Sequence, residues 1–133
     1  MKALLFITAI VVGIGADAAA ATRRPAAQRP QRVDILFSDF AFTPPALHLR
    51  QGQPYRLHFV NQGSGGHNYA APEFFAAARI DPADAASVAG GRVELGRGES
   101  RDVRLVPTAG AYRVVCTHPL HATFGMVGTI TVD

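Results

Sequence analysis

The sequence predicts an all-β domain: a Greek-key sandwich or barrel of seven to eight short strands with one short helical insertion. Short apolar segments with β-branched residues and two-residue alternation recur along the chain, separated by Gly, Pro, Asn and Ser clusters. That spacing is typical of sandwiches and barrels. One alanine-rich stretch, beginning at Pro72, has a composition that is typical of a helix instead. The 133 residues allow one domain, and a hydrophobic content of 48% is enough to form its core.

The first 32 residues differ in composition from the rest. Lys2 is followed by an apolar run over 3–14 and then by small residues, which predicts a secretory signal peptide over residues 1–21. The apolar run is shorter than the roughly 20 residues that a membrane-spanning helix needs, so no membrane span is expected. Residues 22–32 contain four arginines among Pro, Gln and Ala, which predicts a disordered linker. The folded domain is therefore expected to cover 33–133.

Charge and cysteine content narrow the functional classes. The formal net charge of +3 comes from the predicted linker, because residues 33–133 contain eight arginines and nine carboxylates. No basic patch with interleaved aromatics is present, so a nucleic-acid partner is not expected. The signal peptide predicts export, to a bacterial periplasm. The single cysteine, Cys116, cannot form an intramolecular disulfide there and is expected to be buried, ligated or both.

The first strands are expected at 33–37, around Phe42, at 47–49 and at 55–60. In the last of these, Tyr55, Leu57 and Phe59 alternate with polar residues and are predicted to face the core. His48 and His58 lie on the polar sides of their strands and are expected to be exposed. All pairings are expected to be antiparallel.

The helical insertion is expected over 72–80, with Pro and Glu in its first turn. Asp81 can cap a second helical turn that ends before Gly90 and Gly91. The remaining strands are predicted at 92–95, 100–106, 111–116 and 126–132.

The strand over 111–116 gives the first chemical information. Tyr112, Val114 and Cys116 share one of its faces, and Arg113 marks the opposite, solvent side. The thiol is therefore expected to point inward at the end of a strand, where a metal could be held beneath loops at the rim of the sandwich. Tyr112 is interpreted as a core or tyrosine-corner residue and not as a redox relay.

Three soft donors follow at intervals of five residues: Cys116, His121 and Met126. A thiolate, an imidazole and a thioether form the ligand type of a mononuclear blue-copper centre, which needs a second histidine. His118 lies too close to Cys116 to share a metal with it easily, whereas His121 can fold back toward the sulfur.

The second histidine could be His67, which follows a Gly-rich loop over 61–66. Glycines allow the backbone to approach a buried metal edge closely. Taken alone, however, the position is equally compatible with a loop histidine in water.

Taken together, these segments resemble the cupredoxins, or type 1 blue copper proteins of the azurin, plastocyanin and auracyanin type. Cys116-Thr117-x-Pro119-x-His121 followed by Gly125-Met126-x-Gly128-Thr129 is similar to their ligand loop. Asn61-x-Gly63…His67-Asn68 is similar to their upstream ligand loop. Asp39-Phe40-x-Phe42-x-Pro44 resembles their opening strands. The resemblance covers 33–133 and implies a cupredoxin domain.

The resemblance implies a ligand set for one type 1 copper ion. Cys116, His67 and His121 would form a trigonal set, with Met126 as a weak axial ligand. Gly66, Asn68 and Thr117 would surround the ligands. The backbone N–H of Asn68 would reach the Cys116 sulfur, and the Asn68 side chain would bind Thr117. Gly66 would present its carbonyl on the side opposite Met126.

In cupredoxins the histidine of the last loop reaches the surface in an apolar patch. Here that histidine is His121, and Leu120, Ala122 and Phe124 would form the docking rim. His118 departs from the usual apolar residue at its position, and it stays open whether it tunes the potential.

The resulting functional prediction is a periplasmic, monomeric one-electron carrier that is not an enzyme. Its partners would be transient redox proteins such as a cytochrome or a copper oxidoreductase. The alternative is a periplasmic protein for copper storage, delivery or resistance. Such a protein is expected to contain further Met and His clusters, whereas Met126 is the only methionine besides Met1. A binuclear copper centre needs two cysteines and is excluded.

Overall fold

The computed structural model describes residues 27–133. The predicted signal peptide (1–21) and the first part of the predicted linker lie outside the described residues. The described part contains ten strands: β1 (Gln31–Ser38), β2 (Ala41–Thr43), β3 (Ala46–Leu49), β4 (Tyr55–Asn61), β5 (His67–Ala70), β6 (Arg79–Ile80), β7 (Arg92–Leu95), β8 (Ser100–Val106), β9 (Gly110–Val115) and β10 (Val127–Val132). An α-helix, α1 (Pro72–Ala77), and a 3₁₀ segment (Pro82–Gly91), whose backbone angles are non-helical over 88–90, lie between β5 and β7.

The strands form two five-stranded sheets that pack as a sandwich, which confirms the predicted all-β class. The first sheet has the order β2-β1-β4-β8-β6 and the second the order β3-β10-β9-β5-β7. Between them lies one apolar core, centred on four aromatic rings. Phe37 stacks parallel to Tyr69 with ring centroids 6.1 Å apart, and Phe42 and Phe59 contact both rings. The alternation predicted for β4 is present, since Tyr55, Leu57 and Phe59 are all buried.

Both sheets are mixed, so the expectation of purely antiparallel pairing is wrong. β1 pairs with β4 in parallel, and β3 pairs with β10 in parallel. The chain passes from the first sheet to the second at Pro44-Pro45, between β2 and β3. Proline interrupts a strand because it lacks the backbone donor. β4 then returns to the first sheet by a crossover, which is the connection that a parallel pair requires.

Two further boundaries differ from the sequence prediction. β1 begins at Gln31, where the Gln31 amide donates to the Pro54 carbonyl at 2.9 Å, so the last two residues of the predicted linker belong to the domain. The predicted helix over 72–80 ends at Ala77, because Arg79 and Ile80 pair with β8. This tertiary pairing overrides the helix propensity of the alanine run.

Other local predictions are confirmed. Asp81 caps the 3₁₀ helix, since its side chain accepts from the Ala83 amide at 2.9 Å. The Tyr112 hydroxyl donates to the Thr108 carbonyl at 2.9 Å, the local bond of a tyrosine corner. His48 is exposed as predicted, whereas the prediction of an exposed His58 is wrong, because the residue is half-buried and bonded to Asp102. Among residues 27–133 no helix has the length and apolar character that crossing a membrane requires.

Candidate metal centre

The loop before β5 is held by the side chain of Asn61, which is fully buried. Its amide nitrogen donates to the carbonyls of Gly65 at 2.8 Å and of Leu95 and Gly96 at 3.1 Å, and its oxygen accepts from the Gly63 amide at 2.9 Å. A buried amide with these partners fixes the loop backbone. The loop therefore delivers His67, the first residue of β5, into the interior, where it is 2% exposed.

A carboxylate from the other sheet contacts this histidine. Asp39, in the turn between β1 and β2, places Oδ1 3.1 Å from Nε2 of His67. The same carboxylate accepts from the Ser64 amide at 2.9 Å and the Ser64 hydroxyl at 2.8 Å. These bonds from Ser64, together with that from His67, hold the pKa of the Asp39 carboxyl below its ordinary value. A Cβ at Gly63 would lie 2.5 Å from Nε2 of His67, so the pair leaves no room for a larger residue.

The second loop connects β9 to β10 and begins at Cys116, which is 1% exposed as its strand parity predicts. The loop closes on itself through backbone bonds. The Cys116 amide donates to the Met126 carbonyl at 3.1 Å, and the Met126 amide donates to the His121 carbonyl at 2.9 Å. Leu120 takes a left-handed conformation, with φ at 65°, which turns the chain before His121.

These two loops bring three of the predicted ligands together. The candidate donor atoms of His67, Cys116 and His121 all lie within 4.8 Å of one another. Nδ1 of His67 is 3.1 Å from Nδ1 of His121, which in turn is 3.4 Å from the Cys116 sulfur. Met126, the fourth predicted ligand, is fully buried.

The electrostatics of His121 favour a neutral ring. Removal from solvent, followed by the charges of His67 and His118, lowers the pKa of His121 below its ordinary value. A metal-binding imidazole must be neutral, so this environment favours the form that has a free lone pair. One thiolate and two imidazoles, with a thioether nearby in sequence, fit copper better than they fit harder cations.

Comparison with known proteins decides the family. Residues 31–133 match the family described as copper binding proteins, plastocyanin/azurin family. The chain belongs to this family. It is a cupredoxin, and the family together with the donor set supports one type 1 copper ion. A comparison with curated proteins finds no match.

Solved structures of auracyanins resemble this cupredoxin. Auracyanin B is 29% identical, with a TM-score of 0.57, over 81% of this chain and 93% of its own. Dithionite-reduced auracyanin from Roseiflexus castenholzii is 23% identical, with a TM-score of 0.58, over 77% of this chain and 97% of its own. Auracyanin A from Chloroflexus aurantiacus, a "blue" copper protein, is 24% identical, with a TM-score of 0.55, over 79% and 100%. The last two show the shared fold alone.

The two ligand loops of this cupredoxin are joined by Asn68, which is 1% exposed. Its oxygen accepts from the Thr117 amide at 2.9 Å, and its nitrogen donates to the Thr117 hydroxyl at 2.7 Å. The same nitrogen donates to Glu94 at 2.8 Å. The bonds that were expected between Asn68 and Thr117 are therefore present. The contact of the Asn68 backbone N–H with the Cys116 sulfur and the role of the Gly66 carbonyl stay predictions.

His118 lies beside the three clustered donors and not among them. Its Nε2 is 2.6 Å from Glu94, and its ring stacks on that of His121 at 5.4 Å between centroids. A Cβ at Gly66 would come within 3.2 Å of the His118 ring, so Gly66 leaves the space in which this ring packs. Glu94 thus connects His118 to Asn68, a link between distant residues that no motif in the sequence marks.

The surface around His121 is apolar. Leu120 and Phe124, both predicted for the rim, are 66% and 64% exposed, and Ala122 is half-buried. Phe40 adds to them, since its ring meets His121 edge-on at 5.2 Å and Phe124 at 5.4 Å. In the sequence, Asp39 and Phe40 belong only to the motif that resembles the opening strands, and no spacing or period marks them as residues of the site.

Proposed function

We propose that this chain is a periplasmic electron carrier that works through the Cu(I)/Cu(II) couple. Cys116, His67 and His121 would bind the copper, with Met126 as a fourth, weaker ligand. The observation that carries the proposal is the convergence of two imidazole nitrogens and the thiol sulfur within 4.8 Å at one rim of the sandwich. Membership of the plastocyanin/azurin family supports it.

The chain's own residues would supply a fixed, dry frame. Copper, when bound, provides the one-electron couple. His67, Cys116 and Met126 are each 2% exposed or less, which keeps water from the donor atoms. Asp39 accepts hydrogen bonds from Ser64 and Asn68 accepts one from the Thr117 amide, which holds the two loops in place. Groups around the ligands set their orientation and the potential, and a frame that moves little speeds electron exchange.

Electrons would pass through the apolar surface at His121. The patch is formed by Phe40, Leu120, Ala122 and Phe124. Small apolar contacts of this kind suit brief encounters in which dissociation must be fast. We infer a transient redox partner, such as a cytochrome or a copper oxidoreductase. The carrier, as a monomer, would bind this partner through the apolar patch.

The periplasmic location rests on the predicted signal peptide and on the single, buried cysteine. A carrier with no enzymatic activity agrees with the family's usual role. Delivery of copper is the alternative that an experiment must separate from electron transfer.

The test measures colour, electron exchange and metal transfer on one preparation. The wild-type protein is expected to bind one copper per chain and to show an intense thiolate-to-Cu(II) absorption that Cys116→Ser abolishes. Stopped-flow exchange with a periplasmic cytochrome should be fast, and transfer of copper to an apo acceptor should be slow. The reverse pattern would favour copper delivery, and a colourless Cu(II) form would refute the ligand assignment.

A matched pair of surface variants tests the patch. Phe124→Glu is expected to slow electron exchange about tenfold, an effect of about 1.4 kcal/mol, while the absorption spectrum stays unchanged. Ala111→Glu introduces the same charge at an exposed position at the other end of β9 and is expected to have no effect. Equal rates in the two variants would place the docking surface elsewhere.

A further inference from the structure

The turn between β1 and β2 touches both histidines of the copper site. Asp39 contacts Nε2 of His67 at 3.1 Å, and the Phe40 ring contacts His121. Phe40 has a φ of 64°, which is uncommon for a bulky residue and persists only when its surroundings fix it. The turn is thus a third segment of the site, and it comes from the other sheet.

The Asp39 carboxylate is held in place although its side chain is 46% exposed. Oδ1 accepts from the Ser64 amide and faces Nε2 of His67, and Oδ2 accepts from the Ser64 hydroxyl. Gly63 packs directly beneath this pair. Both oxygens are therefore engaged, and Oδ1 is directed at Nε2 of His67, the ring nitrogen that does not face His121.

We propose that Asp39 is a positioning residue that selects the tautomer of His67 and lowers the reduction potential of the copper. When Asp39 accepts a hydrogen bond from Nε2–H of His67, the lone pair is left on Nδ1, the atom that faces His121 at 3.1 Å. A carboxylate on the outer nitrogen also makes the imidazole a stronger donor. The added negative charge stabilises Cu(II) more than Cu(I). The effect on potential rests on the proposed ligation by His67, but the tautomer does not.

The competing explanation is that Asp39 only fastens the loop through Ser64. Asp39→Asn separates the two, because an asparagine oxygen can still accept from Ser64 and His67 but lacks the charge. Ser64→Ala removes the hydroxyl bond to Oδ2 and leaves His67 untouched. Asp34→Asn, also in the first sheet and paired with Arg32, makes the same charge change away from the site.

Substitutions around a metal ligand typically cost about 10–100-fold in metal affinity. We expect Asp39→Asn to weaken Cu(II) binding about tenfold more than Cu(I) binding, which raises the potential by about 59 mV for a one-electron couple. Ser64→Ala and Asp34→Asn should leave the potential unchanged. In ¹⁵N NMR of the copper-free wild-type protein, His67 should carry its proton on Nε2, and Asp39→Ala should populate both tautomers.

An unchanged potential in Asp39→Asn, or a shift that Asp34→Asn reproduces, would overturn the effect on copper. A proton on Nδ1 of His67 in the copper-free wild-type protein would overturn the tautomer assignment. If Asp39→Ala does not fold, Asp39→Asn and the wild-type NMR spectrum still decide both points. A wild-type protein that binds no blue copper would instead refute the proposed function, and the NMR result would remain a separate answer about Asp39.

Discussion

Replacing Asn68 with alanine is expected to destabilise the copper-free protein strongly, because this side chain joins the two ligand loops. It makes three hydrogen bonds: two to Thr117 and one to Glu94. Alanine would leave the Thr117 amide without its acceptor and would empty the position of a side chain that is 1% exposed. The loss should therefore exceed that of an ordinary surface substitution.

The magnitude follows from the three bonds. A hydrogen bond contributes about 1 kcal/mol net, so losing all three should cost about 3 kcal/mol. The bond to Glu94 is partly exposed and can be replaced by a bond to water. The loss of about 3 kcal/mol is therefore an upper limit. For a domain of this size each kcal/mol corresponds to about 4–8 °C in Tm, so the melting temperature should fall by about 12–24 °C.

The assay is urea denaturation of the copper-free protein, which separates stability from metal binding. Thr117→Val is the matched control, since it removes the hydroxyl contact but keeps the amide bond to Asn68, and it should cost about 1 kcal/mol. The double variant should cost little more than Asn68→Ala alone, because the two residues share a bond. A loss below about 0.5 kcal/mol in Asn68→Ala would refute the view that Asn68 stabilises the loops.

Three other outcomes are expected. Met126→Leu should retain copper and raise its potential, because a lost donor disfavours Cu(II) more than Cu(I); an unchanged potential in voltammetry would argue against ligation by Met126. Tyr112→Phe removes the bond to Thr108 and should cost about 1 kcal/mol without slowing electron exchange, as stopped-flow measurement would show. The Arg104 hydrogen bond lowers the pKa of Asp84 from 3.8, so the ionised carboxylate stabilises the fold above that pH, and the gain disappears as pH falls through the folded pKa. Urea titrations below about pH 4 should accordingly show a weaker pH dependence for Asp84→Asn.

The candidate donors of the last loop could be identified from the sequence because their information is local. Cys116, His121 and Met126 lie within eleven residues, and their donor chemistry is visible without a fold. The alternation of inward and outward residues in the strand predicted over 111–116 indicated an inward-facing thiol, and Cys116 is buried. Alternation is a strong signal wherever one face of a strand packs on a core, as it does in β4.

The contacts that steady the ligands could not be predicted in the same way, because they join residues that are distant in the chain. Asp39 meets His67 across 28 positions, and Glu94 meets His118 across 24. Each depends on the pairing of strands, and the parallel pair of β1 and β4 was not expected. Single residues such as Phe40 have no period or spacing of their own to mark them.

The convergence of the donors follows from the order of the strands. β9 lies between β10 and β5 and is antiparallel to both, so its end and their beginnings share one rim of the second sheet. Cys116 follows β9, His67 begins β5 and Met126 precedes β10, which brings all three segments to that rim. Asp39 approaches from the first sheet, and the spacing between the sheets is set nearby, where Phe37 stacks on Tyr69. Phe37 lies two residues from Asp39 and Tyr69 lies two residues from His67, so the packed core itself holds the carboxylate against the His67 ring.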